Sequence, residues 1–467
     1  MMSGNELNLK QFIRDYPKVS SSSGMIDDID YQNLSIDSRT LQPGQFFIPL
    51  KGENFDAHEF IPDVIEKNAK GIVVQSDWYS QRNKIDFPDE LATIVVENTL
   101  DFLQKLSAWH RSHFNVPIIA ITGSNGKTTT RKMIAEMLSN KFAVLSNEGN
   151  QNNHIGVPLT LLRLRPDYEM AVIELGSNHP GEIALLTELV NPGAGVITNI
   201  GKSHIGYFGS LKAIYKEKTA LFERMRSGSV IFLNMEDPYL CNYKTSAKII
   251  RVGTSDNYEY RGRVVSVDER GCIKISINNL TEIQLKIPGI FHFINALMAT
   301  AIGLHFDVAI NEIKETLENF QAVSQRMEVY SVNGVLIIND AYNANPDSTR
   351  AAIDYLDSLS SVKGKKIIAI GDMLELGNFG EKEHLLIGKF ISEKSIDLIF
   401  LFGPLSVKIK EGVLENDSFK GEAYWYETQE EIIDHLHKIL APHDALLVKG
   451  SRGMKMENIL NNLFSKN

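Results

Sequence analysis

Residues 118–130, IIAITGSNGKTTT, decide the fold class of this chain. The first four are apolar and suit a buried strand of a parallel sheet. Apolar residues then recur at helical spacing, at Met133, Ile134, Met137 and Leu138. A glycine-containing turn therefore joins a predicted strand to a predicted helix.

This turn has the composition of a phosphate-binding loop. Backbone N–H groups and the positive end of the helix dipole point at whatever fills such a turn. Gly123 and Gly126 let the backbone close around a phosphate. Lys127 supplies a mobile cation, and the Thr128 hydroxyl can hold a magnesium ion. Ile121 stands where the common loop has another glycine, so this loop is short, and a purely structural turn is the alternative.

The composition bounds the domain count and the class of partner. A chain of 467 residues is too long for one core, and its length predicts about three domains. The formal charge is −10, so neither nucleic acid nor an anionic membrane is an expected partner. Cys241 and Cys272 imply neither a disulfide framework nor a zinc site. No signal-peptide pattern and no membrane-spanning apolar run is found, so we expect a cytoplasmic protein.

Predicted strands and helices alternate through two long regions, one from Phe114 and one beginning near Gln325. Such alternation predicts α/β folds whose mostly parallel sheets are covered by helices. Before Phe114 strands and helices are mixed, and residues 258–287 are interpreted as inserted β-structure. We predict three domains, at residues 1–113, 114–322 and 323–467.

Several polar residues follow strands of the region from Phe114, where α/β folds bind ligands. Glu174 ends an apolar run, and a metal ion or a buried arginine would relieve the cost of burying its carboxylate. His204 follows a later strand. It is interpreted either as an ordinary hydrogen-bonding histidine or as a metal ligand. Lys216 and Lys218, on the next predicted helix, have the composition of a solvated basic face.

Two further segments carry local signals. Residues 35–44, SIDSRTLQPG, form a polar turn that by composition is a surface loop. Asn345-Pro346-Asp347 is a good helix start, because asparagine caps, proline suits the first turn and aspartate complements the dipole. No Gly-x-Gly-x-x-Gly motif follows the first strand of the last region, which weakens a dinucleotide-binding interpretation.

Taken together, these motifs resemble the Mur ligase family, the ATP-dependent amide-forming enzymes of bacterial cell-wall precursor synthesis. Residues 122–129, TGSNGKTT, are similar to the family's short phosphate loop, and Glu174, His204, Asn295 and Arg326 follow in the expected order. Segments 340–348, 371–377 and 449–454 look like the member that joins D-alanyl-D-alanine to UDP-N-acetylmuramoyl tripeptide. The resemblance implies a small α/β UDP-binding domain, a central P-loop ATPase domain and a C-terminal Rossmann-like ligase domain.

The resemblance also implies roles for individual residues. The substrate-binding residues would be Ser38 and Arg39 for the uridine diphosphate, Asn152 and Asn153 for the sugar-peptide, and Asn343 and Asn345 for the dipeptide or the tripeptide end. The ATP-binding residues would be Gly123, Ser124, Asn125, Gly126, Lys127, Thr128, Thr129, Asn295, Arg326 and Asp340. The ligands of two magnesium ions would be Thr128, Glu174, His204 and a carbamylated Lys218, with Lys216 or no modification as the alternatives. The catalytic residues would be Lys127, Glu174, His204, Lys218 and Arg326.

The implied reaction phosphorylates the terminal carboxylate of the tripeptide, and the amine of D-alanyl-D-alanine then displaces phosphate from the acyl phosphate. Lys127 precedes the predicted boundary between the second and third domains and Arg326 follows it, so catalysis is expected to need closure of these domains. A monomer is expected, because nothing in the sequence marks an exposed apolar helix face.

Other functions remain open from the sequence. The ligase that adds the third amino acid should carry an Asp-Asn-Pro-Arg type signature, which is not found, and a folylpolyglutamate synthase should lack the Asp37-Ser38-Arg39 module. A nucleotide-dependent switch protein would not need His204, a second metal ion and Arg326 together. The sequence also leaves open whether the third residue of the tripeptide is diaminopimelate or lysine.

Overall fold

The computed structural model describes residues 7–81 and 87–464. The outer limits of the predicted terminal domains, at residues 1 and 467, and the start of the chain used in the signal-peptide argument lie outside the described residues. Up to residue 112, short strands and helices are mixed, as predicted. These elements are α1 (Leu9–Asp15), β1 (Val19–Ser23), β2 (Leu34–Ser35), β3 (Phe46–Phe47), α2 (Ile61–Glu66), β4 (Gly71–Gln75), α3 (Ser76–Gln81), β5 (Ala92–Val96) and α4 (Thr99–Ser112), with 3₁₀ turns at Ile26–Asp28 and Ala57–Phe60.

The middle of the chain alternates strands and helices and then forms the predicted β-structure. Its elements are β6 (Ile118–Thr122), α5 (Lys127–Leu138), β7 (Val144–Ser146), α6 (Gly156–Leu161), β8 (Met170–Glu174), α7 (Glu182–Val190), β9 (Ala194–Ile197), α8 (Ile205–Phe208), α9 (Leu211–Arg224), β10 (Val230–Asn234), β11 (Lys248–Gly253), β12 (Tyr260–Val267), β13 (Cys272–Ile277), β14 (Thr281–Pro288), α10 (His292–His305) and α11 (Ile310–Asn319).

The last part of the chain again alternates. Its elements are β15 (Glu328–Val332), β16 (Val335–Asp340), α12 (Pro346–Ser358), β17 (Lys366–Gly371), a 3₁₀ segment (Leu374–Phe379), α13 (Gly380–Ser392), β18 (Leu398–Phe402), α14 (Val407–Leu414), β19 (Glu422–Tyr426), α15 (Gln429–Ile439), β20 (Ala445–Lys449), a 3₁₀ turn (Arg452–Met454) and α16 (Glu457–Phe464). Helix α16 begins at Glu457 and not before, because Lys455 has a positive φ of 51°. The predicted α/β fold is confirmed, with three sheets that are mostly parallel.

The chain divides into two compact units, of which the first comprises residues 1–118, 142–175 and 185–192. Its five-stranded sheet has the order β1-β5-β4-β3-β2, parallel except for β1 against β5. A core that includes Phe12, Phe46 and Phe102 covers one face of this sheet, and Leu162 from the segment after α6 joins that core. The segment with Asn152, Asn153 and Glu174 therefore belongs to the same unit as the Ser38–Arg39 loop.

The second unit comprises residues 119–141, 176–184 and 193–467 and contains two sheets. In the first, β6, β9, β10, β11 and β12 pair in parallel, and β13 and β14 continue it antiparallel. Helix α10 packs closely on α5, since a Cβ at Gly303 would lie 2.3 Å from the Met137 sulfur. The second sheet has the order β15-β16-β20-β17-β18-β19, parallel except for the edge strand β15. Within the described residues, no helix is both long and apolar enough to cross a membrane.

Candidate active site

The glycine loop between β6 and α5 has a backbone that only glycine fits at two positions. Gly123 has a φ of 143°, and a Cβ there would lie 2.0 Å from the Thr198 hydroxyl oxygen. Gly126 has a φ of 80°, and a Cβ there would lie 2.7 Å from Asn295 Oδ1. Gly126 is also the N-cap of α5 and provides no side-chain cap. The N-terminus of a twelve-residue helix therefore faces this loop, which is the arrangement of an anion site.

The residues that follow β9 hold the loop in shape. Ser124 Oγ donates to the Gly201 carbonyl at 2.9 Å and accepts the Gly201 N–H at 2.8 Å. The Asn125 N–H donates to Asn199 Oδ1 at 2.9 Å, and the Thr198 hydroxyl donates to the Asn125 carbonyl at 2.6 Å. The loop conformation is thus set by the protein itself, so a phosphate would find it already shaped.

Lys127 begins α5, and its side chain lies over the loop. Its Nζ donates to the carbonyl oxygens of Gly123 at 2.9 Å and Ser124 at 3.2 Å. The side chains of Thr128 and Thr129 are buried in the first turn of the helix. The predicted cation therefore lies at the mouth of the glycine loop.

Lys218 lies on the buried face of α9, whereas Lys216 on the same helix is exposed. Burial, together with the nearby positive charge of Lys127, lowers the pKa of Lys218 from 10.5 to about 7. Its Nζ donates to Ser177 Oγ at 2.8 Å. The expected solvated basic face is wrong for Lys218, because this lysine lies on the side of the helix that packs inward. The structure places a partly neutral amine close to the phosphate-loop lysine.

Glu217, which precedes Lys218, shapes the segment that carries Ser177. Its carboxylate accepts the N–H groups of Gly181 at 2.7 Å and Ile183 at 2.8 Å. These bonds fix the beginning of α7 on α9, so the partner of the Lys218 amine is held by the protein.

Glu174 is buried at the end of β8, as its place in an apolar run predicted. Its Oε1 accepts a hydrogen bond from Asn152 Nδ2 at 2.8 Å. The Asn147 side chain accepts the Glu174 N–H at 3.0 Å and donates to the Glu174 carbonyl at 2.9 Å. Asn153 stabilises the turn before α6, because its Oδ1 accepts the Gly156 N–H at 2.9 Å. A predicted metal ligand and a predicted sugar-peptide contact are therefore hydrogen bonded to each other.

His204 lies beside a carboxylate from the last part of the chain. It adopts a positive φ of 53° as the N-cap of α8. Its Nδ1 is 2.8 Å from Glu375 Oε2, which is an ion-pair distance, although the ring N–H is not aligned for a hydrogen bond. Asn125 of the glycine loop is likewise reached by Asn345, whose Nδ2 donates to Asn125 Oδ1 at 2.7 Å. Predicted residues on both sides of residue 323 are thus brought together within the second unit.

Asn295 and His292 lie buried on α10, beneath the glycine loop. Asn295 Nδ2 is 3.5 Å from His292 Nδ1, and Asn295 Oδ1 lies against Gly126. Burial lowers the pKa of His292 to about 3, so its ring is neutral at physiological pH. Asn295, a predicted ATP-binding residue, is therefore also a packing partner of the phosphate loop.

Arg326 and Asp340 have fixed surroundings. The Arg326 guanidinium lies over the Tyr342 ring, 3.9 Å from its centre, which is a cation–π contact. Asp340 Oδ1 accepts the Met327 N–H at 3.1 Å, and its other oxygen pairs with the buried Lys449 ammonium. Because Asp340 is engaged by Lys449, its orientation toward any ligand is set by the protein.

The two asparagines of the segment 340–348 have structural bonds. Asn343 Oδ1 accepts the backbone N–H groups of Ala344 at 2.9 Å and Arg452 at 3.4 Å. Asn345 Oδ1 accepts the Ser348 N–H at 2.9 Å, so the predicted cap and start of α12 are confirmed. Asn345 therefore has two tasks, since its oxygen caps a helix and its amide contacts the glycine loop.

The Ser38–Arg39 loop of the first unit is ordered by short contacts. The exposed Arg39 side chain forms two hydrogen bonds with Asp37, at 2.9 and 2.7 Å, and these lower the pKa of Asp37 to about 2. The Ser38 carbonyl accepts a hydrogen bond from Lys67 Nζ at 2.6 Å. The loop is thus a surface loop, as its composition predicted, and it presents a cationic side chain.

Three family models match the chain: the Mur ligase family catalytic domain over residues 30–111, the Mur ligase middle domain over 121–303, and the Mur ligase glutamate ligase domain over 325–452. The UDP-N-acetylmuramoyl-tripeptide–D-alanyl-D-alanine ligase of Bacillus subtilis (strain 168) is 36% identical over 433 residues, which cover 92% of each chain. The chain belongs to the Mur ligase family.

Other relatives agree with that assignment. The UDP-N-acetylmuramoyl-tripeptide–D-alanyl-D-alanine ligase of Escherichia coli (strain K12) is 32% identical over 443 residues, which cover 93% of this Mur ligase and 94% of the relative. A crystal structure of MurF from Acinetobacter baumannii is 30% identical, with a TM-score of 0.84 and 95% of each chain covered. The family resemblance of the motifs is therefore confirmed.

The magnesium ions that the family resemblance implies would need hard donor atoms from this Mur ligase. Among the residues that the structure describes, no group of three or more His, Cys, Asp or Glu side chains could hold a metal ion. Magnesium commonly takes one or two carboxylates and completes its shell with substrate phosphates and water. Lys218 fits such a site only as a carbamate, and its lowered pKa favours the neutral amine that adds CO2. The donors present suit a site completed by the nucleotide.

Several residues of this Mur ligase site were not assigned from the sequence. Ser177, Glu375 and Lys449 contact Lys218, His204 and Asp340 respectively. Glu375 and Lys449 lie in segments that resemble the family, but nothing in the local pattern names their partners. The burial of Lys218 did have a signal, because Ile214, Leu221 and Phe222 share its helical face.

Proposed function

We propose that this Mur ligase joins D-alanyl-D-alanine to UDP-N-acetylmuramoyl tripeptide at the expense of ATP, in peptidoglycan precursor synthesis. The relatives from Bacillus subtilis and Escherichia coli carry that activity in their names and align over more than nine-tenths of the chain. The observation that carries the proposal is the glycine loop at the start of α5, with Lys127 across it and the buried Lys218 amine nearby. This arrangement suits transfer of a phosphoryl group to a carboxylate.

ATP is needed because a carboxylate oxygen is a poor leaving group. The terminal carboxylate of the tripeptide attacks the γ-phosphorus, the bond to the β-phosphate oxygen breaks, and ADP and an acyl phosphate result. The amine of D-alanyl-D-alanine then attacks the acyl carbon, loses a proton, and the tetrahedral intermediate expels phosphate. Both steps depend mainly on positioning and on charge stabilisation, so no nucleophilic side chain is required.

Two cationic side chains are proposed to balance the charge of the transferred group. Lys127 is held at the mouth of the glycine loop by hydrogen bonds to the loop's own carbonyls. A bound phosphate can replace these carbonyls as the acceptor of the Lys127 ammonium. The Arg326 guanidinium is stacked on Tyr342, which reduces the freedom it has to lose on binding. Asn295 and Asp340 are the proposed contacts to the rest of the nucleotide.

Thr128, Glu174, His204 and a carbamylated Lys218 are the proposed ligands of two magnesium ions. Magnesium, when bound, neutralises phosphate charge and orients the transferred group. The neutral Lys218 amine attacks CO2 and loses a proton, and the carbamate offers the hard oxygen donors that magnesium prefers. Its buried position and lowered pKa support Lys218 over the exposed Lys216.

The substrate contacts stay as the sequence predicted them. Ser38 and Arg39 are proposed to bind the uridine diphosphate, and the exposed Arg39 guanidinium supports this role. Asn152 and Asn153 are proposed for the sugar-peptide. Asn343 and Asn345 are proposed for the dipeptide or the tripeptide end.

The domains are proposed at residues 1–113, 114–322 and 323–467. ATP and a nucleotide-activated sugar are substrates found inside cells, so we propose that the reaction takes place in the cytoplasm. A monomer is the proposed oligomeric state.

The test is phosphate release by the purified protein with ATP, UDP-N-acetylmuramoyl tripeptide and D-alanyl-D-alanine, with each omitted in turn. Release should require all three, and the pentapeptide product should appear in equal amount. With the carboxylate oxygens labelled by ¹⁸O, one label should appear in each phosphate released. Hydrolysis of ATP at the same rate without the other substrates would instead indicate a switch protein. Release with a single amino acid in place of the dipeptide would indicate another ligase of the family.

A further inference from the structure

The loop at residues 201–206 after β9 is enclosed by side chains from the last part of the chain. The Lys202 N–H donates to Asp347 Oδ2 at 2.7 Å, and Lys202 Nζ donates to the buried Glu383 carboxylate at 2.7 Å. Gly206 meets Gly377 backbone to backbone, since a Cβ at Gly206 would lie 2.5 Å from the Gly377 nitrogen. The position of this loop therefore depends on residues far away in the sequence.

His204 lies at the centre of this enclosed loop. Its positive φ of 53° is uncommon for a residue with a side chain and persists only where the surroundings determine it. Glu375, in the 3₁₀ segment that also contains Gly377, brings Oε2 to 2.8 Å from His204 Nδ1. The side of the imidazole ring that carries Nδ1 thus faces a carboxylate.

A carboxylate beside one ring nitrogen changes what the other nitrogen can do. A metal-binding histidine commonly gives its second N–H to a carboxylate, which fixes the tautomer and the ring orientation and makes the ligating nitrogen more basic. With the proton on Nδ1, toward Glu375, the lone pair of Nε2 is available to a cation. Glu375 has the 2.8 Å separation of such a carboxylate–histidine pair, although the ring N–H does not point along it in this structure.

We infer that Glu375 is a positioning residue for His204, which holds the ring so that Nε2 is presented to the proposed metal ion. The inference rests on the proposed function. Glu375 lies in the predicted ligase domain and His204 in the predicted ATP-binding domain, so the metal site is complete only while the 3₁₀ segment is docked on the loop. Docking of that segment and readiness of the ion site are thereby coupled.

The experiment measures metal binding directly, apart from catalysis. Mn²⁺ is titrated into the full-length protein with saturating ADP, and free Mn²⁺ is followed by electron paramagnetic resonance. Glu375→Ala should weaken Mn²⁺ binding by about 10-fold or more. Glu375→Gln keeps an oxygen that accepts the Nδ1 proton, so its affinity should lie between those of Glu375→Ala and the wild type. Glu381→Ala, which removes an exposed carboxylate from the start of α13, is the matched control and should bind as the wild type does.

Steady-state kinetics separate positioning from a general structural role. The two Glu375 variants should lower kcat in the same order as the Mn²⁺ affinity, with an unchanged KM for the UDP-linked substrate. Wild-type Mn²⁺ affinity in Glu375→Ala, or equal losses in the Gln and Ala variants, would overturn the inference, because equal losses would reflect charge alone. Failure of the wild-type protein to form product would instead overturn the proposed function, so the two failures are distinguishable.

Discussion

At the scale of single residues, Lys218 shows how burial changes the chemistry of an amine. Desolvation disfavours the ammonium form, and the Lys127 charge adds to this, so the pKa falls from 10.5 to about 7. The unfolded chain therefore binds more protons than the folded chain between pH 7 and 10.5. The stability cost of burying Lys218 is fully present below pH 7 and disappears as the pH rises toward 10.5.

We predict that activity depends on dissolved CO2 and rises with pH around 7, because only the neutral Lys218 amine can add CO2. Initial rates should fall when bicarbonate is removed and recover when it is restored. Lys218→Ala should lower the activity on the order of 100-fold, because removal of a single group that stabilises transition-state charge has an effect of this size. Lys216→Ala, which changes an exposed lysine on the same helix, should behave as the wild type. A bicarbonate-independent rate with a flat pH profile would contradict the carbamate.

We predict that Lys127→Ala lowers the rate of product formation by about 100-fold or more. The substitution removes a preorganised cation from the transferred phosphoryl group, and the loss of one oxyanion-hole donor has an effect of roughly this size. ADP affinity, measured by calorimetry, should fall as well. Lys132→Ala on the same helix, whose Nζ contacts the Gln321 carbonyl instead, is the control. Product formation at the wild-type rate in Lys127→Ala would exclude the glycine loop as the phosphoryl-transfer site.

At the scale of elements, the strand–loop–helix around Lys127 could be predicted almost entirely from local sequence. The apolar positions Met133, Ile134, Met137 and Leu138 are all buried in α5. The start of α15 also has a local signal, because Thr428 and Glu431 form a capping box there. The partners of the site residues could not be predicted, because Glu375 and His204 are 171 positions apart in the chain (375 − 204).

We predict that the two tasks of Asn345 can be separated by substitution. Asn345→Ala removes the cap of α12 and should cost about 1 kcal/mol of unfolding free energy. Asn345→Asp keeps an oxygen that caps and should keep the stability, but it loses the amide donor to Asn125. Urea denaturation should therefore distinguish only the Ala variant from the wild type, whereas both variants should raise the KM for ATP. An unchanged KM in Asn345→Asp would show that its contact with the glycine loop has no role in binding.

At the scale of the whole molecule, the proposed site is built from contacts between distant segments of the second unit. The composition and alternation predicted an α/β fold, and the comparisons with relatives confirmed the family. The domain boundaries remain predictions. The contacts of Lys202 with Asp347 and Glu383 could not be predicted, because each joins loops whose relative placement is decided by the packing of two sheets.

We predict that Lys202→Ala loosens the segments at residues 200–208 and 374–383 together. Removing Lys202 leaves the Glu383 carboxylate, which is 5% exposed, without its cationic partner, and a buried unpaired charge is costly. Amide hydrogen exchange should accelerate in both segments, and kcat should fall. Lys389 lies on α13, the helix that carries Glu383, and forms an exposed ion pair with Glu415. Lys389→Ala should change neither quantity, because exposed pairs contribute little. Acceleration in one segment alone would contradict the coupling.

The meeting of Gly206 and Gly377 has a consequence for inhibitor design. Two peptide units touch there with no side chain between them, so the spacing equals the thickness of two backbones. A small molecule wedged between these glycines would hold the two segments apart and, with them, Glu375 away from His204. Such a compound would act on the seam between two stretches of backbone, where an inhibitor needs no likeness to ATP.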